Sequence, residues 1–427
     1  MRNVLLILGV FFTYAGQGQD SLAYYKAKAR RAEIEAKAER YIAVAGETAR
    51  LSGEISDREM AALLALQAYN FNKTFGGRAE DPTIHYALLK AMGAYAVMPF
   101  TWSSAITQPI LYVDPSGKSI VTLDLKGNIN QWSDVNGTWQ SAKITNVGTK
   151  SRRLETWMDG NRVMVAYPDQ QRVWLGIFFV GEPGKQATSL DVPSPEVKQM
   201  VVSGSKNGVW VLGDGGHRIW YSDFFGLREV VRSSTEMSHL SISQDGKYMA
   251  AVEAGKVVRW STADYTKLVI PTTGHDALTA LSLSPDGKRI ILGDKNGNLY
   301  ILTINTRIPM RKLFGHKGSV DQIRFNHSGT GLVTYGGDKQ LLIWDWTRIN
   351  LRPRAIPNAS CNVILEFSSN DERIITDGGN YWLVGSGNLA KELCSRVTRN
   401  FSMDEWDTYF SGLQYERTCD AHPANYK

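Results

Sequence analysis

No cysteine occurs before position 361, and the three that do occur, Cys361, Cys394 and Cys419, form no Cys-x-x-Cys pair. The seven histidines are scattered without metal-ligand spacing. Gly-x-Ser-x-Gly, His-Glu-x-x-His and the full Gly-x-x-x-x-Gly-Lys-Ser/Thr phosphate loop are all missing. The linear signatures of serine hydrolases, zinc peptidases and phosphate-loop enzymes are thereby removed, and no catalytic residue, metal or cofactor is expected. A strong charge imbalance is missing too. With 48 Lys and Arg against 42 Asp and Glu, the net charge is only +6, and the basic residues are spread along the chain. No compact nucleic-acid patch follows from that pattern. Beyond the first nineteen residues there is no apolar run long enough to span a bilayer.

The N-terminus does carry a short apolar run. Arg2 supplies a positive start, Val4 to Phe12 an apolar core, and Tyr14-Ala15-Gly16-Gln17-Gly18 the small residues of a cleavage site. Residues 1–19 therefore read as a signal peptide, and an exported protein of the periplasm or the periplasmic face of the outer membrane is expected, with no transmembrane segment in the mature chain. A buried N-terminal helix is the alternative. In an oxidising compartment a disulfide between Cys394 and Cys419 would staple the C-terminal segment, leaving Cys361 as a buried strand residue.

Residues 20–99 read as a helical arm. Ala, Lys, Arg and Glu dominate Ala23 to Arg50, without proline. Ser56-Asp57-Arg58-Glu59 has the Ser-x-x-Glu form of a capping box ahead of Met60, Leu63, Leu64 and Leu66, and Asp81-Pro82-Thr83 opens a further helix. From residue 100 the pattern changes to short strands with Gly, Asp and Pro turns, recurring at about forty residues. Seven such units can be marked, the fifth beginning at Gly274-His275, the sixth at Phe314 and the seventh spanning Ala355 to about Leu389.

The sixth unit, Phe314 to Trp346, carries Gly315-His316 in front, Thr334 in its second strand, Asp338 in the following turn and Trp344-Asp345 at its end. This resembles one WD repeat, the unit of a WD-repeat β-propeller. The resemblance implies that His316, Thr334, Asp338 and Trp344 form a structural hydrogen-bonded tetrad. Blade five keeps His275 but has Leu292, Asn296 and Leu302 at the other three positions. Blade one has Thr122 and Trp132 with Lys126 in the acid's place, and blade three has Asp214 and Trp220 without Gly-His. These blades are expected to rest on apolar packing.

The helical stretch through Tyr95 and the tail around Cys394, Arg399, Trp406 and Cys419 resemble parts of bacterial WD-repeat proteins in which the propeller follows caspase-like or nucleotide-binding signalling domains. Ser402-Met403-Asp404-Glu405 reads as a second capping box, with Trp406, Tyr409 and Phe410 on one helix face. The expected fold is mainly β: a seven-bladed WD-repeat β-propeller over 100–390, preceded by the helical arm and followed by a capping segment over 391–427 that docks on the propeller.

The function implied is a non-catalytic interaction scaffold, or a subunit of a cell-envelope complex, with protein partners and no nucleic acid. Lys317, Lys339, Asp276 and Lys295, on the loops at the Gly-His end, are the candidate partner-binding residues; each is otherwise simply solvated. Two alternatives stand beside it: a propeller hydrolase or lyase with its site over the central channel, and a ligand-sensing module of a signalling system.

Overall fold

In the computed structural model, the described residues are 19–78, 80–94, 100–101, 110–113, 119–124, 126–136, 138–146, 157–158, 162–169, 172–179, 186–194, 197–202, 208–223, 226–270, 278–306, 310–350, 352–356, 364–368, 371–376 and 380–425. The signal-peptide reading of the N-terminus, Gly274-His275, Asp276 and Cys361 lie outside them. The chain divides into two compact units, residues 1–95 with 390–427, and residues 96–389.

The first unit is helical. It comprises α1 (Gln19–Ser52), α2 (Arg58–Thr74) and α3 (Pro82–Ala94), joined by most of α4 (Ser386–Cys394) and by α5 (Met403–Phe410). Helix α2 starts differently from the sequence expectation. Its cap is Asp57, whose carboxylate accepts the Met60 amide at 2.6 Å, and not Ser56. Glu59 is turned away to accept the amide and hydroxyl of Thr398, at 2.7 and 2.6 Å. A carboxylate that can take two donors from a distant segment gains more there than by closing a local box. The second capping box does form: Ser402 accepts the Glu405 amide at 3.2 Å, and Glu405 accepts the Ser402 amide at 2.8 Å.

The C-terminal segment, expected as a cap on the propeller, is part of this helical unit. Trp406 and Phe410 of α5 are buried, and both rings meet Phe71 of α2 edge-on, with centroids 6.0 and 5.4 Å apart. Phe401 packs on the same two rings. Asn400 is fully buried and uses its whole amide. It accepts the Thr418 and Cys419 amides, and it donates to the carbonyls of Cys419, His422 and Pro423 at 2.9–3.1 Å. Cys394 and Cys419 are disulfide-bonded, with Cα atoms 5.7 Å apart. Aromatic faces on α2 and α5 that neither helix can bury alone explain why segments so distant in sequence fold together.

The second unit is built of seven antiparallel four-stranded sheets among the described residues. Numbered in chain order, the first six each use four consecutive strands. They span residues 110–146, 157–192, 197–232, 237–270, 278–314 and 320–356. The seventh contains Ile364–Phe367, Arg373–Thr376 and Asn380–Leu383, and its fourth strand is Phe100–Thr101, which pairs Phe100 with Tyr381 and Thr101 with Asn380. Ala355 therefore belongs to the outer strand of the sixth sheet, Arg354–Ile356, and not to the seventh unit.

Successive sheets pack face to face. Trp210, Leu212 and Ile219 of the third sheet meet Met249, Ala251 and Val258 of the fourth. Ala250 and Val257 of the fourth meet Leu281, Ile290 and Leu292 of the fifth, and Ala280 and Ile291 of the fifth meet Val320, Ile323 and Leu332 of the sixth. The alternation of apolar residues puts one set on each side of a strand, so a middle sheet buries both its faces.

Candidate functional site

In an antiparallel four-stranded sheet of this order, the turn joining the second and third strands lies at the end where the first strand begins, as in the sixth sheet. That sheet shows how the two are held. His316 is buried, and its Nδ1 lies 2.9 Å from Asp338 Oδ1 while its Nε2 lies 2.8 Å from Thr334 Oγ1. Trp344 Nε1 donates to the same Thr334 hydroxyl at 3.0 Å. One assignment satisfies every group. The indole donates to Thr334, the Thr334 hydroxyl donates to Nε2, and the imidazole donates from Nδ1 to Asp338.

Asp338 also accepts the amides of Lys317 (2.9 Å) and Gln340 (3.2 Å). Burial alone would push its pKa up, but the Lys317 amide, His316 and the Gln340 amide outweigh it and hold the carboxyl below its usual range. The chain of bonds pins the entering segment against the turn. The remaining space is too small for a side chain: a Cβ on Gly336 would stand 2.7 Å from His316 Nδ1 and 2.5 Å from the Ser319 carbonyl.

The fifth sheet has no such tetrad, yet its turn is locked. Asp294 is buried and accepts the amides of Asn296 and Asn298, the Asn298 side chain and the Tyr300 hydroxyl, all at 2.8–2.9 Å. The first sheet repeats the device, with Asp124 accepting the Lys126 and Asn128 amides and the Asn128 side chain at 2.8 Å. There Trp132 also donates to Thr122 at 2.9 Å. To blades expected to rest mainly on apolar packing the structure adds a polar lock: an acid two residues earlier than Asp338's position holds the turn. The signal was present as Asp-x-x-Gly-Asn at 124–128 and 294–298. Both glycines, Gly127 and Gly297, have positive φ, 78° and 86°.

In the third sheet Asp214 pairs with Arg218 at 2.8 Å, and in the fourth Glu253 binds Lys267 at 2.6 Å and the Ser233 hydroxyl. The locks also join neighbours. The His316 amide donates to the Gly297 carbonyl at 3.2 Å, tying the entry to the sixth sheet onto the turn of the fifth.

On this frame Lys317, Lys339 and Lys295 are exposed. Lys317 and Lys339 flank Asp338, one on each of the two loops it joins, and Lys295 sits in the corresponding turn of the fifth sheet. Sequence reasoning did not single out Lys256, which is exposed at the start of the fourth sheet's third strand, directly after the equivalent turn. Among the described residues, no group of three or more His, Cys, Asp or Glu is placed to hold a metal ion. No described helix is long and apolar enough to cross a membrane.

Residues 266–301 and 307–345 match the family described as WD domain, G-beta repeat. The chain is 26% identical over 157 residues to "Transcription factor unc-37" of Caenorhabditis elegans, an alignment covering 34% of this chain and 26% of that protein. It is 25% identical over 187 residues to "Cilia- and flagella-associated protein 52" of Homo sapiens, covering 41% of this chain and 30% of that protein. A shorter stretch of 62 residues is 36% identical to "U5 small nuclear ribonucleoprotein 40 kDa protein" of Dictyostelium discoideum, covering 14% of this chain and 16% of that protein. The chain thus spans less than a third of the length of these relatives, all of which are eukaryotic. Two consecutive stretches of this mainly β chain, with the His316 tetrad inside the second, thus match the WD-repeat model.

Proposed function

We propose that this protein is a non-catalytic interaction scaffold that holds a protein partner on the loop end of a closed, seven-bladed propeller. The observation that carries the reading is the investment of buried polar chemistry in loop position. Asp338, Asp294 and Asp124 each accept at least three hydrogen bonds whose joint effect is to fix a surface turn. Loops on a stiff frame are where recognition sits. Proteins built from WD repeats typically act through protein partners and are not typically enzymes, which supports the reading. Ring closure is supported by the pairing of Phe100–Thr101 with Asn380–Leu383, since a first strand that completes the last sheet leaves no open edge between the ends of the unit.

We infer further that the protein is exported and works at the cell envelope of a bacterium. This rests on the apolar run Val4 to Phe12 and on the helical stretch and cysteine-bearing tail, which resemble those of bacterial propeller proteins. The Cys394–Cys419 disulfide suits an oxidising compartment. A mild-detergent affinity purification of the tagged protein from its native source, with mass spectrometry of what accompanies it, tests the reading. A stoichiometric envelope partner is the expected result. A protein that comes out alone and monomeric would contradict it and would turn attention to the central channel.

A further inference from the structure

Charge is sorted at the loop end. Lys295 and Lys339 occupy the second-to-third-strand turns of the fifth and sixth sheets, Lys256 opens the third strand of the fourth sheet directly after its turn, and Lys317 lies in the segment entering the sixth; all four are exposed. None of the four ammonium groups pairs with a carboxylate among the described residues. Other lysines are neutralised: Lys198, at this end, binds Glu236 at 2.5 Å, and Lys267, from the start of the fourth sheet's outer strand, binds Glu253 at 2.6 Å.

The acids of the same turns face inward. Asp294 and Asp338 are committed to backbone amides and buried side chains, and Glu253 to Lys267 and Ser233. Asp321, exposed beside them, takes the Ser319 hydroxyl at 2.5 Å. The corresponding turn of the first sheet follows the same rule, with Lys126 exposed and Asp124 held by amides. In the turns of the first, fifth and sixth sheets the acids thus fasten backbone while the lysines point to water; Asp321 and Glu236 are exposed acids at the same end. The result is a row of ammonium groups on fixed backbone at one end of a chain whose overall charge is nearly balanced.

We propose that this row binds an acidic segment of the partner, a stretch of polypeptide rich in Asp and Glu; the inference rests on the interaction reading above. A carboxylate-rich peptide lying across the turns can meet a lysine at each sheet in succession, and its charge is screened by salt. Single-stranded nucleic acid would also want aromatic faces for its bases. The large apolar and aromatic side chains exposed among the described residues are Tyr24, Tyr25, Ile34, Tyr86, Val135 and Val269, none of which lies in these turns.

The test uses the full chain and a fluorescein-labelled peptide alternating glutamate and glycine, read by anisotropy. A glutamine-glycine counterpart and oligothymidylate serve as competitors. Lys256→Gln, Lys295→Gln, Lys317→Gln and Lys339→Gln are combined in one variant. Lys247→Gln and Lys288→Gln, at the opposite turns, form the control variant. The expected result is binding that weakens with added salt, falls about tenfold or more in the fourfold variant and is unchanged in the control. Equal binding by the fourfold variant overturns the proposal, as does equal competition by the glutamine peptide or tighter binding of oligothymidylate. Circular dichroism of the variant shows whether its fold is kept. If these surface changes unfold it, Lys→Arg at the four positions replaces them, with retained binding expected and lost binding contradicting the charge reading. Purification of both proteins from the native source separates the two readings. A partner recovered equally with wild type and fourfold variant leaves the scaffold standing and removes the acidic segment. Peptide binding without any native partner does the reverse.

Discussion

His316, in the segment that leads into the sixth sheet, has its Nε2 2.8 Å from the hydroxyl of Thr334 in that sheet's second strand. Thr334 is fully buried and also takes the Trp344 N–H at 3.0 Å, so its hydroxyl is the junction between the entry segment and the sheet interior. Thr334→Val keeps the shape and removes the junction, leaving an imidazole nitrogen and an indole N–H buried without a partner. The expected loss is about 2–3 kcal/mol, measured by urea unfolding. A loss under about 0.5 kcal/mol would show that the tetrad does not hold the blade.

Asp294 does in the fifth sheet what the tetrad does in the sixth. Asp294→Ala strips partners from two amides and two side-chain donors, and a destabilisation of about 2–4 kcal/mol is expected from the same measurement. Gly297→Ala is a second probe of the same turn, because it forces a side chain onto positive φ and places its Cβ 2.6 Å from the Gly318 carbonyl. Substituting the exposed neighbour Lys295 by Ala is expected to change stability by less than about 0.5 kcal/mol, so that lysine loss and frame loss can be told apart.

Acid should loosen these turns together. In Asp338, Asp294 and Asp124, burial pushes the carboxyl up but hydrogen bonds outweigh it and hold each below its ordinary range. A carboxyl whose folded pKa is depressed contributes stability above its unfolded pKa and loses it as pH falls through the folded value. Melting temperature is therefore expected to be flat with respect to these groups from neutrality down to about pH 4 and to fall steeply below it. In Asp294→Asn the acid limb should be shallower. A wild type that loses most of its stability between about pH 7 and 5 would contradict this assignment.

Removing the staple is expected to weaken the helical unit selectively. The bond joins residues 25 apart, for which loop closure is worth about 3 kcal/mol. The replacement of Cys394 and Cys419 by Ser should lower the helical unit's midpoint while the sheet unit's near-ultraviolet signal persists. Asn400→Ala, which abandons five hydrogen bonds, should act on the same transition.

What the sequence made legible were features whose parts lie close together. His316, Thr334, Asp338 and Trp344 sit within one short window at fixed spacing, and the Ser402 box needs only four residues. The missed features span distance or use a different residue for the same task. Asp294 and Asp124 carry the acid of the turn two positions early, with Asn partners in place of His. Phe100–Thr101 is a two-residue strand whose partner lies at Asn380–Leu383, too short to show a period. Glu59 fits a local cap on paper but is drawn to Thr398, and nothing local to α5 says that its aromatics are completed by Phe71. Of the four expected partner-binding residues, Lys317, Lys339 and Lys295 are exposed on the loop end and Asp276 lies outside the described residues; Lys256 joins them only once the strand register shows that it follows the fourth sheet's second-to-third-strand turn.

The most direct measurement is a lysine-acetylation footprint of the protein with and without its purified partner, read residue by residue by mass spectrometry. Protection of Lys256, Lys295, Lys317 and Lys339 is expected, with Lys247 and Lys288 at the opposite turns labelled equally in both states. Protection confined to those opposite turns, or no protection anywhere on the sheets, would contradict the claim that the loop end is the working surface of this protein.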